Sequence, residues 1–154
     1  IGYSTSVLPV QPTLGPKTLK EFVAYAQARP AKILFSSGGG GSATHIAAER
    51  FNVAAGIKAV HVGFKGTPDA LLEVAGGRVQ YCLVGLGSAL PLIKDNRLLP
   101  LGVSTPKRSP LLPEVPSINE ALPNFGRDGS HMLLAPANTP MVIRNQISRD
   151  VARV

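Results

Sequence analysis

Residues 32–45 read KILFSSGGGGSATH, a stretch that predicts a buried strand, a glycine loop and the first turn of a helix. The apolar run 32–36 is typical of a short strand, and Ser42 can cap a helix that continues to about Ala54. In open α/β sheets the loop after a strand lies at the carboxyl edge of the sheet, where ligands bind. This stretch therefore indicates both a fold class and the place of a candidate site.

Similar strand and helix patterns alternate along residues 18–104. Strands are predicted at 32–36, 58–64, 78–84 and 98–104. Helices are predicted to begin at the Thr18–Glu21 capping box and near Ser42, Thr67 and Ser88. The inner face of the helix after Ser42 is expected to carry Ile46, Ala47, Phe51 and Ala54. Such repeated units build a mostly parallel sheet flanked by helices, so the predicted fold class is α/β.

The character of the sequence changes after Thr105, where several prolines fall close together. A second capping box spans Ser117–Glu120, a strand is predicted at 131–135, and Thr139-Pro140 is expected to open a terminal helix. We interpret Thr105 as the point at which the chain leaves one lobe and enters a return segment, 105–154.

The composition narrows the classes of partner. The 154-residue chain has 16 Lys and Arg residues and 9 acidic residues, which give a net charge of +7. This bias suits an anionic ligand, but the basic residues are scattered, so nucleic acid is not an expected partner. No apolar run of about 18 residues occurs, so no membrane span is predicted. Because the chain opens on Ile1 without a leader, we expect processing or a longer parent protein.

Catalytic signatures are missing from the sequence. It contains no nucleophile elbow, phosphate loop or metalloprotease motif, and no acid pair that suggests acid–base chemistry. His45, His61 and His131 lack metal-ligand spacing, and each is interpreted as a surface or core histidine. Cys82, the only cysteine, lies in a strand-like run and is expected in the core. The residues therefore indicate no particular reaction, and we predict no cofactor and no metal site.

The glycine loop is the candidate site that remains. Backbone amides facing one concavity are expected from Gly40, Gly41, Ser42 and Ala43. Hydroxyls are expected from Ser37, Ser42 and Thr44, beside the positive end of the helix. The ends of the next two strands, at Lys65 and at Gly85–Ser88, are expected to share the same rim. A flexible tether is the alternative interpretation, but a tether belongs between domains rather than between a strand and its helix.

Several short motifs, taken together, resemble those of one known family. They are SSGGGGSATH at 36–45, VGFKG at 62–66, GGRV at 76–79, SALPLIK at 88–94, LGVST at 101–105, KRSP at 107–110 and EVPS at 114–117. In this order they resemble the Bug family, the extracytoplasmic solute receptors of tripartite tricarboxylate transporters. The resemblance continues to LAP at 134–136, so it covers nearly the whole chain.

This resemblance implies a type II periplasmic-binding-protein-like fold, in which two α/β lobes close on a small carboxylate or related metabolite. It also implies a periplasmic, non-enzymatic protein that serves membrane transporter subunits. Residues 1–104 would then be mostly the second lobe and 105–154 a return into the first lobe, whose remainder lies outside this chain. The family's loop motif falls on Gly39, Gly41, Ser42 and His45.

The candidate ligand-binding residues are Ser37, Gly39, Gly40, Gly41, Ser42, Ala43, Thr44, Lys65, Gly85 and Leu86. Gln80 and Gly85 stand where the family often has Asp, which favours a simple carboxylate over an amino acid. Two other functions stay open: a nucleotide- or phosphate-binding Rossmann-like enzyme lobe, and a sensor lobe without transport. The enzyme lobe lacks the acid expected about 20 residues after the glycines to bind a ribose.

Overall fold

The computed structural model describes residues 3–123, 125, 129–130 and 133–153. The strands are β1 (Tyr3–Ser4), β2 (Ser6–Val10), β3 (Ile33–Ser37), β4 (Ala59–Gly63), β5 (Tyr81–Cys82), β6 (Val84–Gly85), β7 (Leu99–Val103) and β8 (Gly129–Ser130). The helices are α1 (Leu19–Gln27), α2 (Ala43–Ala55), α3 (Thr67–Ala75), α4 (Leu86–Lys94), α5 (Ile118–Ala121) and α6 (Met141–Val151), with a 3₁₀ turn at Pro12–Leu14. Strands and helices alternate from β3 to β7 as the sequence predicts, except that the strand predicted at 78–84 is found as two short strands, β5 and β6.

The main sheet contains one antiparallel strand among parallel ones. β3 pairs in parallel with β4 and β5, whereas β2 runs antiparallel to β5, β6 and β7. Val7 of β2 is paired with both Val84 and Val103, which places β2 between the third and fourth strands of the predicted series. The predicted α/β class is confirmed, but β2 is a strand that the sequence pattern does not reveal.

Two hydrophobic clusters cover the two faces of this sheet. Tyr81 and Leu83 belong to one cluster and Cys82 and Val84 to the other, as expected when successive side chains of a strand point to opposite faces. The first cluster is rich in aromatic rings from α1, α2 and β3, and the second is aliphatic and packs α3 and α4. Both helices that follow β3 and β4 are therefore fixed against the sheet, which fixes the loops before them.

The buried face of α2 differs from the predicted one. Its buried residues are Ala48, Phe51, Asn52 and Ala55. Phe51 was predicted correctly, but Ile46 is 55% exposed and Ala54 is exposed, so the prediction was wrong for both. The reason is a buried polar contact, because the Tyr81 hydroxyl donates a hydrogen bond to the side-chain oxygen of Asn52 and draws that residue inwards.

Side-chain contacts help to hold residues 105–121 against the end of β7. Ser117 and Glu120 form the predicted capping box at the start of α5. Glu120 also accepts hydrogen bonds of 3.0 and 2.9 Å from the Arg108 guanidinium, and Ser117 Oγ donates to the carbonyl of Thr105. These contacts close the proline-rich stretch onto the end of β7.

The strand predicted at 131–135 is not found where it was expected. Residues 133–135 are not in a strand, and residues 131–132, including His131, lie outside the described residues. β8 instead ends at Ser130 and pairs antiparallel with β1. Farther on, the terminal helix α6 is present, and within the described residues none of the helices is both long and apolar enough to cross a membrane.

Candidate functional site

The glycine loop, Gly38–Gly41, joins the end of β3 to the start of α2. Gly39 and Gly41 have φ values of 120° and 76°, which side chains rarely tolerate, so both positions require glycine. Ser42 caps α2, because its Oγ accepts a hydrogen bond of 3.3 Å from the His45 amide. The predicted order of strand, glycine loop and capped helix is therefore confirmed.

Side chains on both sides of the glycine loop hold its backbone. Ser37 Oγ lies 3.2 Å from the Gly39 amide, which donates to it, and 3.0 Å from the Gly39 carbonyl. The Gly38 amide donates to Thr44 Oγ1 at 3.0 Å, and Thr44 Oγ1 lies 3.0 Å from Ser42 Oγ. Hydroxyls predicted to contact a ligand thus also fix the loop.

The amides of the loop divide into two groups. The Gly41 amide donates to His45 Nδ1 at 2.9 Å, and the Ser42 amide donates to a loop carbonyl at 3.2 Å. Both amides are bonded within the chain in this conformation, so their predicted contact with a ligand would require these bonds to be shared or broken and stays a prediction. The amides of Gly40 and Ala43 donate to no atom of the described residues, and they stay available to an anion.

A pair of stacked histidine rings, His45 and His61, lies beside the loop. Their ring centroids are 3.8 Å apart with an interplanar angle of 15°, and Phe35 packs 5.0 Å from His61. His61 Nε2 lies 2.7 Å from Ser37 Oγ, and His45 Nε2 lies 3.7 Å from Glu49 Oε1. The interpretation of each as a surface or core histidine without metal-ligand spacing did not reveal that the fold stacks the two rings.

The environment of His61 opposes its protonation. Burial lowers the pKa of His61 below its ordinary value, and the neighbouring His45 lowers it further, whereas Glu49 acts in the opposite direction. The neutral ring is therefore the favoured form beside the loop. It is the form in which one ring nitrogen donates and the other accepts.

The loop after β4 lies directly against the glycine loop. A side-chain atom placed on Gly39 would be 3.3 Å from the Phe64 carbonyl, and one on Gly63 would be 3.7 Å from the Gly40 amide. Together the two loops border a cleft of about 700 Å³. Lys65 lines this cleft and is exposed, and it forms no ion pair with any of the described residues.

Two charged residues of the same cleft, Lys65 and Asp69, form no ion pair within the described residues. Hydrogen bonding to Arg78 lowers the pKa of Glu73, and this pair is internally neutral. Asp69 lies in the first turn of α3, near the positive end of that helix. The cleft therefore offers an anion the Gly40 amide and the Lys65 ammonium, while the positive end of α3 partly offsets the charge of Asp69.

The third predicted element of the rim is less accessible. Leu86 is only 3% exposed, and its amide donates to the Thr5 carbonyl at 2.8 Å. Gly85 is partly buried at the end of β6 and does not line the cleft beside Lys65. Ser37 is also fully buried, so its hydroxyl serves the loop backbone in this conformation.

Other reactive groups are either dispersed or buried. No group of three or more metal-ligating side chains occurs within the described part of the chain. Cys82 is buried, as predicted, and burial raises the pKa of its thiol to about 12. A thiol with so high a pKa is a poor nucleophile at neutral pH.

A family model described as "Tripartite tricarboxylate transporter family receptor" matches residues 1–152. A UPF0065 protein of Bordetella bronchiseptica is 30% identical over 138 residues, which are 90% of this chain and 41% of that protein. Protein BugT of Bordetella pertussis is 28% identical over 152 residues, which are 98% of this chain and 47% of that protein.

Solved structures are similar over the same range. An R. palustris protein with adipate has a TM-score of 0.88 at 29% identity, covering 99% of this chain and 51% of that one. MatC from Rhodopseudomonas palustris with bound malate has a TM-score of 0.88 at 26% identity, covering 97% of this chain and 51% of that one. The chain thus spans about half the length of these relatives. With the fold, the loop motif and the family match in agreement, the chain belongs to the Bug family of tripartite tricarboxylate transporter receptors.

Proposed function

We propose that this chain is part of a periplasmic solute receptor that captures a small carboxylate for a tripartite tricarboxylate-type transporter. The observation that carries the proposal is the cleft between the glycine loop and the loop after β4. Gly40 and Lys65 line this cleft, and Ala43 lies at the start of α2 beside the glycine loop. Within the described residues, the amides of Gly40 and Ala43 and the Lys65 ammonium have no bonding partner. Adipate and malate, the molecules bound in two related structures, are both dicarboxylates.

The chemistry of this cleft favours a carboxylate over a phosphate-bearing nucleotide. The Gly40 amide and the Lys65 ammonium can each bind an oxygen of a carboxylate, and the ammonium matches its single charge. The donors are already in place, so little conformational freedom has to be lost when the ligand binds. The receptor function is binding followed by release to membrane subunits, and we propose no catalytic step.

The predicted ligand-binding residues then divide by role. Direct contacts are assigned to Gly40, Ala43 and Lys65. The loop is held in shape by Ser37, Gly39, Gly41, Ser42 and Thr44. Gly85 and Leu86 stay as predicted contacts that depend on the arrangement of the ligand-bound, closed receptor.

We also propose that 1–104 is mostly the second lobe and 105–154 a return into the first lobe. The lengths of the relatives support this division, since the chain spans about half of each. A row of exposed apolar side chains on α6 supports it as well: Met141, Val142, Ile143, Ile147 and Val151. Such a row is typical of a surface that packs on further protein.

The test is calorimetric titration of the complete receptor with adipate and with malate. For whichever of the two dicarboxylates binds the wild type, Lys65→Met should lower the affinity about tenfold or more. The reason is that a hydrogen bond to a charged group contributes about 1.5–3 kcal/mol. Lys58→Met is the matched control, since Lys58 is exposed and lies just before β4, whereas Lys65 lies just after it. Equal affinities of the two variants would contradict the site, and no binding of either acid would contradict this choice of ligand class.

A further inference from the structure

We propose that His45 is a positioning residue of the carboxylate site, and that protonation of its Nδ1 atom releases the glycine loop and weakens ligand binding at acid pH. The inference rests on the function proposed above, because it concerns the regulation of the same site. It also makes a statement about the ligand-free protein that can be tested without any ligand.

The hydrogen bond from the Gly41 amide fixes the protonation state of His45. The amide can only donate, so Nδ1, at 2.9 Å, must accept and carries no proton. The neutral ring then has its proton on Nε2, which points towards Glu49 Oε1 at 3.7 Å. Gly41 has φ of 76°, and this bond, together with the turn closed by the Ser42 amide on the Gly39 carbonyl, holds that backbone conformation.

Contacts on the face of the ring keep His45 in place. The ring stacks on His61 of β4 at 3.8 Å and at an interplanar angle of 15°, and it also packs against Phe35 of β3 at 6.0 Å. His61 is in turn hydrogen bonded to Ser37, whose hydroxyl accepts from the Gly39 amide. The histidine pair therefore connects to the glycine loop at two places, Gly39 and Gly41.

The charged and titratable groups around His45 come from two elements. His61 comes from β4, and Glu49 comes from α2, the helix that carries His45 itself. Arg50 of α2 lines the same surface groove as His45 and Glu49. Groups of both signs, Glu49 and Arg50, therefore lie near the His45 ring.

Protonation reverses the role of Nδ1. An imidazolium has a proton on both nitrogens, so two donors would then face each other at the Gly41 amide. The bond is lost, and the loop loses the contact that keeps its amides in the ligand-binding arrangement. Ligand affinity is therefore expected to fall between about pH 8 and pH 5, the range in which histidine changes charge. A direct contact between an imidazolium and the carboxylate would give the opposite sign.

Two variants separate the hydrogen bond from the ring. In His45→Asn the side-chain oxygen takes the position of Nδ1, so an acceptor for Gly41 is retained but it does not titrate. In His45→Phe the ring and the stack on His61 are retained but the acceptor is lost. Protonation of the ligand carboxylates affects the wild type and the two variants equally, so it cancels when their affinities are compared.

Affinities of the complete receptor for adipate and malate should be measured across this pH range. At about pH 8, His45→Asn should bind within about twofold of the wild type, and His45→Phe about threefold to tenfold more weakly, the value of one hydrogen bond. Between about pH 8 and pH 5 the wild type should lose affinity relative to His45→Asn. A constant ratio of the two, or a wild type that gains affinity on acidification, would overturn the proposal.

Nuclear magnetic resonance of the ligand-free receptor gives the independent readout. The imidazole nitrogens of His45 should have the Nε2–H form at neutral pH, and the Gly41 amide should exchange with solvent faster once the ring is protonated. A His45 ring with its proton on Nδ1, or a Gly41 exchange rate that does not follow His45 protonation, would overturn the proposal. This result holds whether or not adipate or malate binds, so it distinguishes failure of the positioning role from failure of the carboxylate function.

Discussion

The junctions β3–α2 and β4–α3 lie side by side in the sheet, yet they hold the starts of their helices in different ways. Ser37 and Gly63, the last residues of the two strands, are paired partners. At the first junction the side chain of Ser42 caps α2, whereas Gly66 gives α3 no side-chain cap. The start of α3 depends instead on Pro68 in its first turn and on an acidic residue near its positive end.

The difference teaches how a glycine-rich loop can be well defined. Glycines alone would leave the first junction with many accessible conformations. Hydrogen bonds from the loop amides to the side chains of Ser37, Thr44 and His45 select one conformation, and within the described residues the amides of Gly40 and Ala43 stay unbonded. The second junction contributes Lys65, a charge on a flexible stem. We therefore expect substitutions at the first junction to cost stability and affinity together, and substitutions at the second to act mainly on affinity.

Gly39→Ala is expected to have the largest effect on the first junction. The residue has φ of 120°, and the new Cβ would lie 3.3 Å from the Phe64 carbonyl. Forcing a side chain into this conformation should lower the free energy of unfolding by about 1–3 kcal/mol and weaken carboxylate binding. Denaturant unfolding and calorimetry measure the two effects.

Gly40→Ala is the matched control for Gly39→Ala. Gly40 has no positive φ, and its new Cβ would meet nothing within 4 Å. Its free energy of unfolding should therefore stay within about 0.5 kcal/mol of the wild type. Equal stabilities of the two alanine variants would contradict the strained geometry assigned to Gly39.

Ser42→Ala is the next largest expected change, because it removes the cap that distinguishes the first junction from the second. Loss of an N-cap should lower the free energy of unfolding by about 1 kcal/mol. Ser88→Ala in α4 is a suitable control, since Ser88 is exposed and lies inside a helix rather than at its cap. If Ser42→Ala were no less stable than Ser88→Ala, the capping role would be wrong.

His61→Gln should alter how stability depends on pH. Burial and His45 lower the pKa of His61 from 6.5, so the folded state binds fewer protons than the unfolded state. Stability of the wild type should therefore decrease as the pH falls below about 6.5, whereas above that pH His61 has no effect on the slope. The glutamine can keep a hydrogen bond to Ser37 without titrating. Unfolding curves at several pH values should show a shallower acid-side loss in His61→Gln, and equal slopes would contradict a neutral His61.

Gly66→Ser is expected to have the smallest effect, and it makes the second junction more like the first. Gly66 is in the extended region at φ −178° and ψ 166°, where any residue is tolerated, and serine can there cap α3. The gain over glycine should be only a few tenths of a kcal/mol, about 0.3. Thermal unfolding detects it, and a loss of stability would mean that the start of α3 is more crowded than the geometry indicates.

Local features of the sequence predict most of the elements that place the site. Caps and turns such as Ser42, Gly38–Gly41 and the Ser117–Glu120 box depend on neighbouring residues, so they can be recognised without the fold. Strand β2 could not be recognised in this way, because Pro9 interrupts the strand pattern. The position of β2 in the sheet also depends on partners that are distant in the sequence. Pro9 is paired with Pro100 at an irregularity of the sheet, where neither residue has an amide proton to donate.

In the candidate site, too, some features could be predicted from the sequence and others depend on the fold. The position of the glycine loop and of Lys65 at one edge follows from the order of strands and helices. Which amides are free does not follow, because that depends on His45 reaching back to Gly41. The sequence contains a partial signal for the histidine pair. Parallel pairing places Phe35 of β3 opposite His61 of β4, and His45 lies in the helix that follows β3. Recognising it requires knowing that β3 and β4 are neighbours.

The most direct measurement is a crystal structure of the complete receptor with adipate or malate. We expect one carboxylate oxygen to accept hydrogen bonds from the amides of Gly40 and Ala43, with the Lys65 ammonium within ion-pair distance of the same group. The bond from the Gly41 amide to His45 should persist in that complex. A ligand held elsewhere, with these two amides unbonded and Lys65 turned to solvent, would contradict the central claim.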